Sequence, residues 1–392
     1  MKRSVRRNMR RVLKTALLVT LVSMMVFSSL AMAADITINL VTAGDQNMVD
    51  LFNMELGPLF AKENPGYRVR VVGTGPGDPG SQQIVEKLLA QKRANRESWD
   101  IDVAVIHEIG ASLALQEELL SQYAESAATF KYVTSSTAKT ALGVDVEGYV
   151  IPMFHSQTVL AYNPNYIEEP PKSFEELVEW VKENPGKFGY NGIKQGASGV
   201  SFVASWLYWK TGNYDIYAVT GPFDEKYMES WEQALAELRE FDSYVTMTSG
   251  NAATLDMLSR GEIWIGPVWV DMFYSWVADG RMNPDFRLCL PAPGMCGQPM
   301  YYVIPAKAAN PEAALKFIEF VTSPEIQAKY IVEKFNWYPG IDASYVQEYL
   351  PQETWNMVFR DVGPEELANY ARVFPIKDYY QAMMEAYEHA MR

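Results

Sequence analysis

The stretch from Gly73 to Gln83, GTGPGDPGSQQ, places glycines at 75, 77 and 80 in the spacing G-x-G-x-x-G. YRVRVV before it has the composition of a strand, SQQIVEKLLAQ after it has the pattern of a helix, and Asp100 stands twenty residues past the last glycine. That order is what a dinucleotide site needs. Glycine lets bare backbone approach a pyrophosphate at a helix N-terminus, and a downstream acid takes the ribose. Two features oppose the chemistry: Pro76 and Pro79 remove two N–H donors, and the loop follows the second strand rather than the first. The competing readings are a tight strand-to-helix turn, with glycine supplying positive φ and Ser81 capping, and a loop that faces a small ligand.

Catalytic patterns are otherwise scarce. The three histidines, His107, His155 and His389, lie far apart, and no H-E-x-x-H, C-x-x-C, G-x-S-x-G or Walker A run occurs. A glycosidase needs only two carboxylates, so among 48 acids a secreted glycoside hydrolase stays open as an alternative. The reading is of a protein that is not an enzyme, with no cofactor and no metal. Cys289 and Cys296 bracket LPAPGM, and in an oxidising compartment they either close a small disulfide loop or stand as two structural thiols.

The compartment is read from the N-terminus. MKRSVRRNMRRVLK carries seven Lys or Arg and no acid, and the apolar run TALLVTLVSMMVFSSL after it ends in Ala31-Met32-Ala33. This is the pattern of a cleavable secretory signal over residues 1–33, with a periplasmic mature chain from Ala34. Removing the leader leaves 27 basic against 48 acidic residues, a net charge of −21. Such acidity disfavours nucleic acid and anionic lipid as partners and suits either solubility or the steering of a cationic ligand. A chain of this length exceeds one comfortable core and reads as two domains.

Strand and helix alternate through the first half. Ile36 to Val41, Tyr67 to Val72 and Asp100 to Ile106 read as strands, with helices over Met48 to Glu63 and Ser81 to Lys92. This is an α/β lobe. YVIPM and TVLAYN then read as two strands, followed by capped helices at Ser173 with Glu176 and at Ser230 with Gln233. Asn310-Pro311 and Ser323-Pro324 open two further helices.

The order helix, GEIWIGPVW strand, proline-glycine loop, YYVIPAKAANPEAALKFIEFVTSPE and FNWYPG resembles the extracellular solute-binding proteins of bacterial ABC importers, the group that includes maltose-binding proteins. The resemblance spans nearly the whole mature chain. It implies an α/β, two-lobe type II periplasmic binding protein fold, lobe 1 taking 34–145 and 300–340 and lobe 2 taking 146–299 and 341–392. The chain would cross near Leu142 to Gly148, Gln298 to Tyr302 and Gly340, with the ligand between the lobes and closure as a hinge motion. The implied partners are a small-molecule solute and the membrane permease subunits, and the expected state is a monomer.

Open α/β sheets bind ligands outside the carboxyl ends of their strands. Asp45 and Gln46, Thr74 and Asp78, and His107 and Glu108 occupy three such loops, although each residue type also serves as a helix cap or a solvated loop residue. By resemblance His155, Ser201, Trp269, Tyr301 and Trp337 face the cleft from the second lobe and the crossings. Aromatic faces stack on sugars while acids and amides take hydroxyls, so the expected ligand is a sugar or oligosaccharide. The alternative is a polyamine or other organic cation with Asp45, Asp78 or Glu108 as counter-charges.

Overall fold

Residues 36–392, apart from 45, 76, 195 and 221, are described by a computed structural model. The leader, 1–33, and Asp45 therefore lie outside the described residues.

Strand β1 (Ile36–Thr42) pairs in parallel with β2 (Tyr67–Gly73), Leu40 opposite Val71. Parallel neighbours need a crossover, and residues 46–63 supply it as one helical run whose middle, Leu51–Leu56, is π-helical. Helix α1 (Gly77–Arg93) returns across the sheet to β3 (Val103–His107), the other neighbour of β1, and α2 (Glu108–Gln116) follows directly. Asp102, fully buried, ties this lobe together. One oxygen accepts from Asn39 N at 2.8 Å and the other from Asn310 N at 2.7 Å.

A small hairpin follows, Thr140–Ala141 against Val144–Asp145, turning on Leu142 (φ 48°) and Gly143 (φ 82°). A two-residue hairpin turn of type I′ needs positive φ at both positions, which glycine adopts freely and leucine rarely does. Where two strands were expected, a single β4 (Ile151–Tyr162) runs for 12 residues, buried at both ends and half-buried only at His155 and Ser156. Helices α3 (Phe174–Glu183), α4 (Ala197–Thr211) and α5 (Trp231–Asp242) come next, then β5 (Ile265–Trp269), β6 (Arg287–Cys289) and β7 (Met295–Val303). Helix α6 (Pro311–Val321), β8 (Tyr338–Pro339) and α7 (Lys377–Ala390) complete the main elements.

The sheet order β6-β4-β7-β3-β1-β2 threads both lobes, with β5 and β8 also paired to β4. β7 lies antiparallel to β3, Met300 opposite His107, and to β4, Gln298 opposite Ser156. The half-buried residues of the two long strands thus sit side by side, where the chain passes from one core to the other. β8 adds a third pass, Tyr338 opposite His155.

Two buried clusters flank this crossing. The first gathers Leu40, Phe52, Phe60, Val103, Tyr302 and Phe317, and takes in Val146 to Phe154. The second gathers Phe174, Tyr190, Phe202, Trp206, Phe241 and Tyr379. Phe202 is its hub, with ring centroids 4.8 Å from Tyr190, 5.2 Å from Phe188 and 5.6 Å from Phe174. Trp206 and Trp209 meet edge-on at 5.1 Å, which is packing.

Local signals differ in places from the expectations. At α3 the Ser173 hydroxyl accepts from Glu176 N, but the Glu176 carboxylate reaches Lys172 N instead of the cap residue. At α5 no capping box forms, because Ser230 already has helical dihedrals after the 3-10 turn Glu225–Met228, and Gln233 donates forward to Glu237. The two cysteines are free thiols on separate strands, both paired to β4, and burial pushes Cys296 up to about 12.

Candidate functional site

The glycine loop is first a turn. Gly75 (φ 93°) and Gly77 (φ 63°) swing the chain from β2 into α1, and a Cβ on Gly80 would stand 2.0 Å from the Gly75 carbonyl oxygen. Helix α1 begins four residues earlier than expected, at Gly77, so Ser81 is no cap. It is buried inside the helix, where its hydroxyl accepts from His107 N at 2.9 Å and lies 3.0 Å from His107 Nδ1. That bond clamps the start of α1 to the end of β3. Asp78 and Glu108, in the first turns of α1 and α2, consequently share one wall.

That wall belongs to a cavity of about 350 Å³. The first lobe contributes Asp78, Gln82, Glu108, Ile109, Leu113 and the hairpin tip Leu142. Facing them are Ala197 at the start of α4, Gln298 at the crossing, and Phe374, Lys377, Tyr380 and Gln381 around the start of α7. The lobes touch beside the cavity: a Cβ on Gly143 would come 2.3 Å from Ile376 Cγ2, just ahead of α7.

Glu108 is 4% exposed, and its Oε1 has no hydrogen-bond partner. Burial, and secondarily the Asp78 carboxylate, push its carboxyl up to about 8, so at neutral pH it holds a proton. Asp78, which lines the cavity, is exposed, yet partial desolvation raises its carboxyl as well. His107, behind the acids, is lowered to about 4 by burial and is neutral. Lys377 is half-buried. No ion pair to it is found among the described residues.

Of the expected site residues that are described, Asp78 and Glu108 come together and the others lie elsewhere. Gln46 is exposed and donates to Asp50. Thr74 closes the glycine turn, its hydroxyl donating to the Gly80 carbonyl at 2.8 Å. Ser201 sits inside α4, buried, accepting from Cys296 N at 2.9 Å. Tyr301 is fully buried and its hydroxyl donates to the Thr137 carbonyl at 2.6 Å. Trp269, 7% exposed, ends β5 in the second core, and Trp337 is sandwiched between Phe154 at 4.0 Å and Phe335 at 4.7 Å. His155, paired with Gln157 at 3.2 Å, lines a separate cavity of about 430 Å³ with Thr137, Tyr338, Asp342 and Arg372.

Sequence reasoning missed Gln82, Phe374, Lys377, Tyr380 and Gln381. Pro375 before an amphipathic helix marked the start of α7, but nothing local said that this start folds back against the first lobe. No group of His, Cys, Asp and Glu suited to a metal occurs among the described residues. None of their helices is long and apolar enough to cross a membrane.

Several solved structures share the architecture over nearly the whole chain. An extracellular solute-binding protein from Bordetella parapertussis superposes with a TM-score of 0.67 at 16% identity, covering 91% of this chain and 99% of that one. The spermidine/putrescine ABC transporter substrate-binding protein PotD of Streptococcus pneumoniae gives 0.67 at 16% identity, covering 91% and 100%. Maltose-bound MalE3 of T. maritima gives 0.68 at 18% identity, covering 91% and 95%. The fold is therefore that of the type II periplasmic binding proteins. No curated protein matches the sequence. Residues 58–354 match the family model of the bacterial extracellular solute-binding proteins, and by that match the chain belongs to this family, the substrate-binding components of ABC transporters.

Proposed function

We propose that this protein captures a small organic cation in the cavity between its lobes and presents the closed form to a membrane permease from the periplasmic side. The observation that carries the reading is Glu108, a buried carboxyl with an unpartnered oxygen, beside Asp78 on a wall that faces the other lobe. An ammonium would displace the Glu108 proton and give both acids the counter-charge they lack. A ligand that touches both walls only when they approach favours the closed arrangement by its differential affinity. The half-buried His155, Ser156 and Gln298 are the pivot of that motion.

A single sugar ring is the second reading. It is supported by Phe374 and Tyr380 on the wall and by the carboxamides of Gln82, Gln298 and Gln381. The tryptophan and tyrosine platforms expected for an oligosaccharide, Trp269, Tyr301 and Trp337, do not line this cavity, and about 350 Å³ is near the lower end of small-molecule sites. One structural neighbour is named for spermidine and putrescine and another holds maltose, so the fold accommodates either class. Against a hydrolase, Asp78 and Glu108 stand on the same lobe instead of flanking a bond from opposite sides.

A thermal-shift panel of amines, sugars and polyols on the mature chain tests the reading. A true ligand at about 100 times its dissociation constant adds about 2.7 kcal/mol of stability. Amines raise the melting temperature of the wild type and not of Glu108→Gln. Sugars raising it equally in both proteins, with amines inert, would refute the cation.

A further inference from the structure

The cavity has two electrical poles. On the first lobe stand Asp78 and Glu108; on the second, in the first turn of α7, stands Lys377. The poles are not in contact. Among the described residues no ion pair joins Lys377 to either acid, and in keeping with that both carboxyls are raised, Glu108 by burial and then by Asp78, the exposed Asp78 by partial desolvation. The apolar Leu142, Ile109 and Phe374 line the same cavity. A buried acid with an unpartnered oxygen calls for a donor, and a lysine on the facing wall with no ion-pair partner among the described residues calls for an acceptor, assisted by the positive end of the α7 dipole.

From this juxtaposition we propose that the solute is a zwitterion with well-separated charges, an ω-amino acid in chemical class. Its ammonium lies on Asp78 and Glu108, its carboxylate on Lys377, and its methylene run against Leu142 and Phe374. The proposal rests on the cavity being the capture site and narrows the organic-cation reading. A diamine of the same length brings its second ammonium to Lys377, where like charges oppose. A simple alkylamine satisfies only one pole.

Calorimetric titration of the full mature chain with 5-aminopentanoate, pentylamine, 1,4-diaminobutane and glucose tests it, using wild type, Lys377→Gln and Glu108→Gln. The zwitterion is expected to bind the wild type at least about tenfold tighter than either amine. Lys377→Gln should remove about that factor for the zwitterion while leaving pentylamine within about twofold, and Glu108→Gln should weaken both. Ligand-free melting curves establish that the variants fold. If the diamine binds tighter than the zwitterion, or Lys377→Gln leaves the zwitterion unchanged, the bipolar proposal fails and the amine cleft survives. If 5-aminopentanoate gives no heat at about 10 mM, the proposal is likewise overturned. Glucose binding that neither substitution alters would remove the capture site from this cavity altogether.

Discussion

Replacing Glu108 by glutamine should change how the empty protein responds to pH. A carboxyl raised from the ordinary 4.5 to about 8 contributes stability that is fully present below pH 4.5 and is lost as pH rises through 8. The unfolded chain ionises freely over that window while the folded chain retains its proton or buries a charge. Between about pH 5 and pH 9 the cost is on the order of 4 kcal/mol, from about 1.4 kcal/mol per decade of displaced protonation. Glutamine has the same shape and nothing to titrate. The assay is urea unfolding of ligand-free wild type and Glu108→Gln at about pH 5, 7 and 9, compared as a difference at each pH. Asp242, pushed up to about 6 by burial, titrates in both proteins and cancels. The groups that sense the Glu108 charge, Tyr208, Tyr301 and Cys296, all have raised values and stay neutral at the lower two pH values. The variant should gain on the wild type by several kcal/mol from the lowest pH to the highest. Profiles parallel to within about 0.5 kcal/mol would show that water reaches the carboxyl and that no proton is stored there.

Three further outcomes follow from the packing. Phe202→Ala, at the hub of the second core, should cost about 3–5 kcal/mol of stability by chemical denaturation. Gly143→Ala drives a methyl group into Ile376 and strains a turn at φ 82°, so it should destabilise by about 1–2 kcal/mol and enlarge the radius of gyration of ligand-saturated protein in X-ray scattering. Tyr301→Phe removes the donor to the Thr137 carbonyl and should cost about 1 kcal/mol while leaving solute affinity within about twofold, since the ring lines no part of the acidic cavity.

The first lobe was legible because its signals are local. Alternation in ITINLV and YRVRVV, glycine turns and amphipathic spacing fall within single elements, and the strands form where those patterns stand. The long β4 was not legible. His155, Ser156 and Gln157 interrupt its apolar run like a loop, and only the pairing with β7 shows that the break is where one strand leaves one core for the other. Asp78 and Glu108 share one cavity because carboxyl ends of parallel strands converge by topology, which the strand pattern makes legible. Lys377 and Tyr380 were hidden, since their place depends on a contact between hairpin tip and helix start some 230 residues apart in the chain. Tyr301 and Trp337 pack away from this cavity for a related reason: a ring at a crossing strand can satisfy itself against a neighbouring carbonyl or another ring, and residue type does not reveal which.

The place of β7 also constrains how the chain acquires its shape. β3 completes its ladder only with Met300 to Val303, and Phe52 meets Tyr302 edge-on at 6.2 Å, across some 250 residues. As the polypeptide emerges, its first lobe must wait with one sheet edge open until residues 300–303 have followed, about three quarters of the way along the chain. A nascent or truncated chain ending before residue 300 carries that raw edge into solution, where another strand can occupy it.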